Sequence, residues 1–188
     1  MSHSNKIKLF KEETIKFNKK HNLISKKNTE KIIDEAIEEA TALTKHLKQY
    51  KNILDIGTGS GLPGIPLAIF NENKNIYLSE KNNKKNYHLK KIIKLLKIEN
   101  ATTVGGANKN TKINKKVDCV VTKAFASTKK TIDTTNSFLE KPFTLMLLKG
   151  KLKTINKEVA EANISKENYE IIKIENKKEK HILKIQNE

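Results

Sequence analysis

The chain carries the glycine-rich loop Asp55-Ile56-Gly57-Thr58-Gly59-Ser60-Gly61-Leu62-Pro63-Gly64. Apolar residues over 52–57 predict a short strand that enters this loop, and residues 65–70 predict a short helix that leaves it. Open α/β folds bind nucleotides at such a junction, because glycine lets the backbone turn tightly and approach a ligand without a Cβ in the way. The spacing Gly59-x-Gly61-x-x-Gly64 also matches the dinucleotide-binding fingerprint. The loop therefore predicts a nucleotide-binding α/β domain.

Strands and helices alternate on the C-terminal side of the loop. Further strands are predicted over 75–80, 101–104, 117–122 and 144–148, and further helices over 83–97, 129–139 and 155–162. This alternation is typical of a parallel sheet with helices on both faces. The last two predicted strands, 169–175 and 181–186, are joined by a connection too short for a parallel crossover. We therefore expect the sheet to close with an antiparallel hairpin.

Two helices are predicted before the loop. Apolar residues recur at helical spacing over 5–21 and over 28–48. The predicted organisation is thus an N-terminal helical extension over residues 1–50 and an α/β domain over residues 51–188. We expect the extension to pack on the sheet domain or to form a small cap.

The charge of the chain is strongly positive and unevenly distributed. The 188 residues include 38 lysines and no arginine, and the net charge is +17. Residues 51–150 hold 18 of the lysines against seven acids. Such a field attracts polyanions, including nucleic acid. A lysine-covered surface that reflects codon usage explains the same composition equally well.

Cysteine content and hydropathy limit the class of protein. The lone Cys119 excludes an internal disulfide and a cysteine-based zinc cluster, and no metal site is expected. No apolar run approaches the roughly 20 residues of a membrane span, and the first 20 residues lack the apolar stretch of a signal peptide. The sequence therefore predicts a soluble, cytoplasmic protein that does not bind membranes.

The residues around the loop bear on the identity of the nucleotide. A nicotinamide cofactor would present a pyrophosphate to the helix N-terminus, whereas the sulfonium of S-adenosylmethionine is a cation that Asp55 would suit. Glu80 ends the second predicted strand, where a carboxylate can accept hydrogen bonds from ribose hydroxyls. A dehydrogenase would also need a substrate domain, and the residues after Glu80 are used to complete the sheet. S-adenosylmethionine is therefore favoured, with an NAD-dependent oxidoreductase as an alternative.

The run from Leu54 to Ala68 resembles the signature of the RsmG (GidB) family. These are bacterial S-adenosylmethionine-dependent methyltransferases that modify N7 of a guanine in 16S ribosomal RNA. Further similar segments are Phe17-Asn18-Lys19, Asn22-Leu23, Lys84-Lys85, Leu95-Leu96 with Asn100, Asp118, Lys123-Ala124-Phe125-Ala126 and Leu148-Lys149-Gly150. The resemblance covers about residues 15–186 and implies a class I, Rossmann-like methyltransferase sheet. It also implies that the partner is 16S ribosomal RNA or the 30S subunit, and we expect a monomer.

The resemblance implies roles for individual residues. Cofactor contacts are expected from Gly57, Gly59, Gly61, Leu62, Glu80, Asn108, Lys109 and Lys123. Independently of the resemblance, Lys84, Lys85 and Lys149 lie on or near the predicted ligand-binding edge, so we expect them to contact RNA phosphates. No catalytic residue is assigned, because guanine N7 has a free lone pair and no proton to lose, so positioning can suffice. His88 lies on a lysine-rich helix and is expected at the surface.

The chain departs from the family pattern at four positions. Lys123 and Ala107 stand where the family usually has arginine, Lys109 where it has glutamate, and Glu35 where it has histidine. A lysine cannot reproduce the planar two-point contact of a guanidinium group. These changes leave open a second alternative, an RNA-binding relative that has lost efficient cofactor binding.

Overall fold

The computed structural model describes residues 1–21, 25 and 27–188, so the predicted Asn22-Leu23 motif lies outside the described residues. The strands are β1 (Asn52–Ile56), β2 (Asn75–Ser79), β3 (Ala101–Thr103), β4 (Cys119–Lys123), β5 (Phe143–Lys149), β6 (Tyr169–Lys173) and β7 (His181–Asn187). The helices are α1 (His3–His21), α2 (Thr29–Thr44), α3 (Gly64–Phe70), α4 (Asn83–Leu95), α5 (Thr128–Asn136) and α6 (Leu152–Glu161). A short 3₁₀ helix at Lys166–Asn168 precedes β6.

The seven strands form one sheet in the order β3-β2-β1-β4-β5-β7-β6. The first five strands in this order are parallel, and β7 is antiparallel to both β5 and β6. The predicted closing hairpin is therefore confirmed, with its second strand inserted beside β5. The strand order reverses at β1, between β2 and β4, which places the carboxyl end of β1 at the topological switch point of the sheet.

Most predicted elements are present, with shifted ends. The helix predicted over 28–48 ends at Thr44. The apolar pattern continues because Leu47 and Tyr50, in the turns that follow, are also buried. The strand predicted from residue 117 begins at Cys119. Asp118 instead accepts hydrogen bonds from the backbone N–H groups of Lys51 and Asn52, at 2.8 and 2.9 Å.

The sheet is covered on both faces, as its apolar strands require. One core cluster joins the sheet to α1, α2, α3 and α4, and includes the fully buried Phe10, Ile33 and Leu43. The other joins the opposite face to α6, and includes Ile155 and Val159. The predicted N-terminal extension thus shares its hydrophobic core with the helices on one face of the sheet.

His88 connects α4 to α1 and is buried, so the predicted surface position is wrong. Its side chain is only 1% exposed, its Nε2 lies 3.4 Å from the Thr14 hydroxyl, and its ring stacks on Phe17 at 4.5 Å. Burial lowers the pKa of His88 to about 4, with nearby Lys91 adding to the effect. The sequence of α4 alone could not indicate this, because the covering residues belong to α1.

Candidate functional site

The glycine-rich loop is held in a conformation that requires glycine. The φ angles of Gly57, Gly59 and Gly61 are +72°, +59° and +94°, in the region that side chains with a Cβ disfavour. The backbone N–H groups of Gly57 and Thr58 donate to the Ser79 carbonyl at 2.9 and 3.2 Å. The loop is therefore fixed between the carboxyl ends of β1 and β2.

Asp55 stabilises the loop from beneath. Its carboxylate is fully buried and accepts a hydrogen bond from the Gly64 N–H, the first residue of α3, at 2.8 Å. Burial raises the pKa of Asp55 to about 7. Asp55 therefore links the loop to α3 and does not face a ligand. This position does not support the expectation that Asp55 contacts the sulfonium cation.

Glu80 follows β2 and links the loop to α4. Its Oε2 accepts a hydrogen bond from the Gly59 N–H at 3.1 Å, and its Oε1 accepts one from the Asn82 N–H at 2.7 Å. Asn82 in turn caps α4, since its side chain accepts from the N–H groups of Lys84 and Lys85. These bonds fix the carboxylate at the edge of the sheet, beside the loop.

A cavity of about 380 Å³ opens at the carboxyl ends of β1, β2 and β4. We call it the first cavity. Its lining residues are Ile56, Gly57, Ser79, Glu80, Lys81, Lys85, Gly106, Ala107, Phe125 and Thr134. The volume is within the usual range for small-molecule sites, and a carboxylate, exposed backbone and an aromatic ring all meet there.

The predicted cofactor residues lie at different depths relative to the first cavity. Gly57 and Glu80 line it, as does Lys85, which is predicted to contact RNA. Leu62 is buried in the core, and a Cβ at Gly61 would lie 2.7 Å from Ile65 Cγ1, so these two positions pack the loop onto the helices.

The segment 106–111 borders the first cavity from the side of β3. Gly106 and Ala107 line the cavity, whereas Asn108 and Lys109 are exposed just beyond them. Asn108 holds the turn through its N–H, which donates to the Thr111 hydroxyl at 2.9 Å, and its side chain, which donates to the Gly106 carbonyl at 3.1 Å. The predicted cofactor roles of Asn108 and Lys109 stay predictions.

Lys123, at the end of β4, lies at a second cavity of about 330 Å³. Its ammonium group pairs with the carboxylate of Glu39, which is 2% exposed. Lys180 pairs with the other oxygen of Glu39 at 2.7 Å. The side chain of Lys123 is therefore held in an ion pair with an acid of α2 that lies 84 residues away in the chain.

Glu39 is the residue of this region that the sequence interpretation missed. It lies among the buried positions of α2, alongside Ala36, Ala40 and Leu43. A single acid on an otherwise apolar helical face is a signal, because a buried carboxylate needs a charged or hydrogen-bonding partner. The sequence could have indicated the acid in this way, although it could not have named Lys123 and Lys180 as its partners.

Lys149, at the end of β5, also lines the second cavity. Its ammonium group lies 2.7 Å from Glu158 Oε2, and the Thr128 hydroxyl donates to the same oxygen at 2.6 Å. Burial alone would raise the pKa of Glu158, but these hydrogen bonds hold the pKa below its usual value. The ammonium group of Lys149 also donates to the Ala126 carbonyl at 3.3 Å, so two internal contacts hold it at the cavity.

The segment Ala124-Phe125-Ala126 separates the two cavities. Phe125 faces the first cavity, whereas Ala124 and Ala126 line the second. A Cβ at Gly57 would lie 2.7 Å from Phe125 Cδ2, so the ring packs directly on the glycine loop. The two cavities are therefore separated by one short segment of chain.

The described part of the chain lacks two kinds of feature. No helix there is long and apolar enough to cross a bilayer. No group of three or more His, Cys, Asp or Glu side chains is placed there to hold a metal ion.

Solved structures with a similar architecture are methyltransferases. The S-adenosylmethionine-dependent methyltransferase SibL aligns with a TM-score of 0.67 and 8% identity, covering 85% of this chain and 57% of that one. M. jannaschii TYW2, in complex with AdoMet, aligns with a TM-score of 0.56 and 21% identity, covering 80% of this chain and 74% of that one. At these identities the likeness establishes the fold, and the predicted class I methyltransferase sheet is confirmed.

Sequence relatives are more specific. Ribosomal RNA small subunit methyltransferase G of Brachyspira hyodysenteriae is 37% identical over 172 residues, which cover 90% of this chain and 83% of that protein. The protein of the same name from Vibrio vulnificus is 37% identical over 112 residues, 60% of this chain and 53% of that protein. The alignment thus spans about half the length of the Vibrio relative.

The family model described as rRNA small subunit methyltransferase G matches residues 3–184, nearly the whole described chain. This match includes both cavities, the glycine-rich loop and the two N-terminal helices. The chain belongs to the GidB family of S-adenosylmethionine-dependent rRNA small subunit methyltransferases.

Proposed function

We propose that this protein transfers the methyl group of S-adenosylmethionine to N7 of a guanine in 16S ribosomal RNA. The observation that carries the proposal is the first cavity, in which the Glu80 carboxylate and the bare backbone of Gly57 meet at the switch point of the sheet. The choice of N7 and of 16S RNA comes from the resemblance of the loop and of Lys123-Ala124-Phe125-Ala126 to the family motifs.

The residues of the first cavity fit an adenosine-bearing cofactor. A Cβ at Gly57 would collide with Phe125, so only glycine at residue 57 lets the ring pack on the loop at the wall of the first cavity. Glu80 is held by two backbone N–H groups and can still accept from ribose hydroxyls, since each carboxylate oxygen has two acceptor positions. Gly106 and Ala107 would border the base from the side of β3.

The proposed methyl transfer needs no general base. S-adenosylmethionine supplies a methyl group that is already activated by the sulfonium, and guanine N7 offers a lone pair without a proton to remove. This chain therefore needs to orient the base and exclude water. We propose that the acceptor base enters the second cavity, which Ala124-Phe125-Ala126 separates from the first. There Lys123 and Lys149 would exchange their carboxylate partners for the neighbouring phosphates.

The target guanine must be exposed to the enzyme. N7 lies in the deep, narrow groove of duplex RNA, which side chains cannot enter, so the base must be unpaired or extruded. The excess of lysine over acid in residues 51–150 would hold the surrounding phosphates. We further propose that the protein acts as a monomer in the cytoplasm, on 16S RNA or on the 30S subunit.

Lys123 favours a second candidate function, RNA binding without efficient catalysis. Its ammonium group is engaged by Glu39, and it replaces the arginine of the family motif. Calorimetric titration with S-adenosylmethionine, with NADH as a control, separates the candidates. Micromolar binding of S-adenosylmethionine alone supports the methyltransferase, and RNA binding without it supports the second candidate. Binding of NADH alone would instead revive the oxidoreductase, against which family membership argues.

A further inference from the structure

Helix α4 and its flanks carry an unusual density of positive charge. Residues 81–97 contain seven lysines and no acid. The helix begins at Asn83, shortly after Glu80, and Lys85 in its first turn lines the first cavity. The charge therefore starts at the edge of the proposed catalytic site and continues outward along α4.

An aromatic ring lies within this charged helix and is exposed. The Tyr87 side chain is 67% exposed, equal to Met1 as the most exposed large hydrophobic residue in the described part of the chain. At 3.6 residues per turn, Tyr87 shares the outer face of α4 with Lys84, Lys90 and Lys94. We call these four residues the α4 stripe. From Lys84 to Lys94 it spans about 15 Å.

The lysines of the α4 stripe form no ion pairs with acids in the described part of the chain. Lys91, which lies on the same face between Lys84 and Tyr87, pairs with Glu13 of α1 at 2.8 Å. Within residues 1–21, 25 and 27–188 no ion pair is formed by Lys84, Lys90 or Lys94, and all three are exposed. The stripe thus keeps its positive charge available for a partner.

Tyr87 lies on the opposite side of α4 from the residues that pack against the core. His88, Leu89 and Ile92 face the core and carry the packing of the helix. Tyr87 lies outside this packing. An exposed tyrosine ring flanked by cations is the arrangement by which proteins stack on unpaired bases while lysines hold the backbone phosphates.

We propose that the α4 stripe binds a single-stranded segment of RNA, with Tyr87 stacked on a base and Lys84, Lys90 and Lys94 on phosphates. The inference rests on the proposed function, because the strand would belong to the same RNA whose target base reaches the proposed catalytic site. The inference adds Tyr87 as a base-stacking residue. It also gives the path of the RNA strand, which would run along α4 away from the first cavity. Duplex RNA would use the lysines alone, since its bases are already stacked.

The test compares the binding of Tyr87→Ala, Tyr87→Phe and the unmodified protein to a fluorescein-labelled single-stranded RNA and to a duplex of the same sequence. Loss of the ring should weaken single-strand binding by roughly 5- to 100-fold, and Tyr87→Phe should stay within about twofold of the unmodified protein. The double variant Lys90→Gln/Lys94→Gln should reduce the slope of log affinity against log salt by about 1.4 on the single strand. Lys166→Gln, an exposed lysine beyond the opposite edge of the sheet, is the matched control.

The outcomes separate this inference from the proposed function. Unchanged single-strand binding of Tyr87→Ala, or an equal loss on single strand and duplex, would overturn the stacking role even if the unmodified protein methylates RNA. A loss of single-strand binding by Tyr87→Ala, with duplex binding retained, supports RNA binding by the α4 stripe. This result would stand even if the unmodified protein showed no methyl transfer, and only the proposed function would then be contradicted.

Discussion

The Glu80 carboxylate accepts a hydrogen bond from the Gly59 backbone N–H at 3.1 Å. The acid that follows β2 is thereby fixed against the loop that follows β1. The bond holds Glu80 in place at the wall of the first cavity before any ligand arrives. Preorganisation of this kind lowers the entropy lost on binding, and it makes Glu80 and the glycine loop a single functional unit.

We predict that Glu80→Gln weakens S-adenosylmethionine binding by about 10- to 100-fold, because hydrogen bonds to a charged group contribute roughly 1.5–3 kcal/mol. Glutamine keeps the size of the side chain but can accept from only one of the Gly59 and Asn82 N–H groups, so the free energy of unfolding should also fall, by about 1–3 kcal/mol. Calorimetric titration and urea unfolding measure the two quantities. Undiminished affinity would remove Glu80 from the cofactor site.

Alanine substitutions at Gly57 and Gly59 should differ in effect. Both residues have positive φ, so each alanine should lower the free energy of unfolding by about 1–2 kcal/mol. At Gly57 the new Cβ would also press on Phe125, whereas at Gly59 the nearest atom would be 3.8 Å away. The free energy of unfolding of Gly57→Ala should therefore be lower than that of Gly59→Ala by about 1 kcal/mol. Equal stability of the two variants in urea unfolding would contradict this packing account.

Lys123→Ala should destabilise the fold by about 2 kcal/mol, because Glu39 would stay buried with Lys180 as its remaining partner. Adding Glu39→Gln should restore part of that loss, since the buried charge is then removed. A double-mutant cycle by urea unfolding measures the coupling. Wild-type stability of Lys123→Ala combined with lost S-adenosylmethionine binding would show instead that Lys123 acts on the cofactor.

Acid should weaken the docking of α1 through His88. The pKa of His88 is about 4 in the folded chain and about 6.5 when unfolded, so the unfolded state takes up the proton first. The His88 contribution to stability is complete above pH 6.5 and is lost as the pH falls toward 4, by up to about 3 kcal/mol. The advantage of the unmodified protein over His88→Gln should therefore shrink over this range, as measured by urea unfolding at each pH.

Asp55 provides the matched control, because its effect has the opposite sign. Burial raises its folded pKa to about 7, so the folded chain keeps a proton that the unfolded chain releases near pH 4. Its contribution is present at low pH and is lost as the pH rises from about 4 to 7. Asp55→Asn should remove this opposing trend. Parallel pH curves for the unmodified protein and His88→Gln would refute the assignment to His88.

Local patterns were enough to predict much of the fold. The glycine spacing, the change of period after residue 51 and the short final connection each arise from neighbouring residues, and all three correspond to observed elements. Gly57 and Glu80 were placed at the site because both follow parallel strands. These features depend on backbone geometry that the sequence encodes over a few residues.

Features that depend on distant residues were not predicted. His88 is buried because Thr14 and Phe17 cover it, and Lys123 is engaged because Glu39 reaches it from α2. Both are contacts between elements far apart in the chain, so the residues near His88 or Lys123 in sequence do not reveal them. The exposed ring of Tyr87 shows the converse, an apolar residue that tertiary structure leaves uncovered.

Incubation with methyl-labelled S-adenosylmethionine and 30S subunits that lack the modification tests the central claim most directly. The account predicts that label enters 16S RNA and is recovered as N7-methylguanosine at one site, and that Gly59→Leu abolishes transfer. Unlabelled RNA, label on another atom, or unchanged transfer by Gly59→Leu would contradict it.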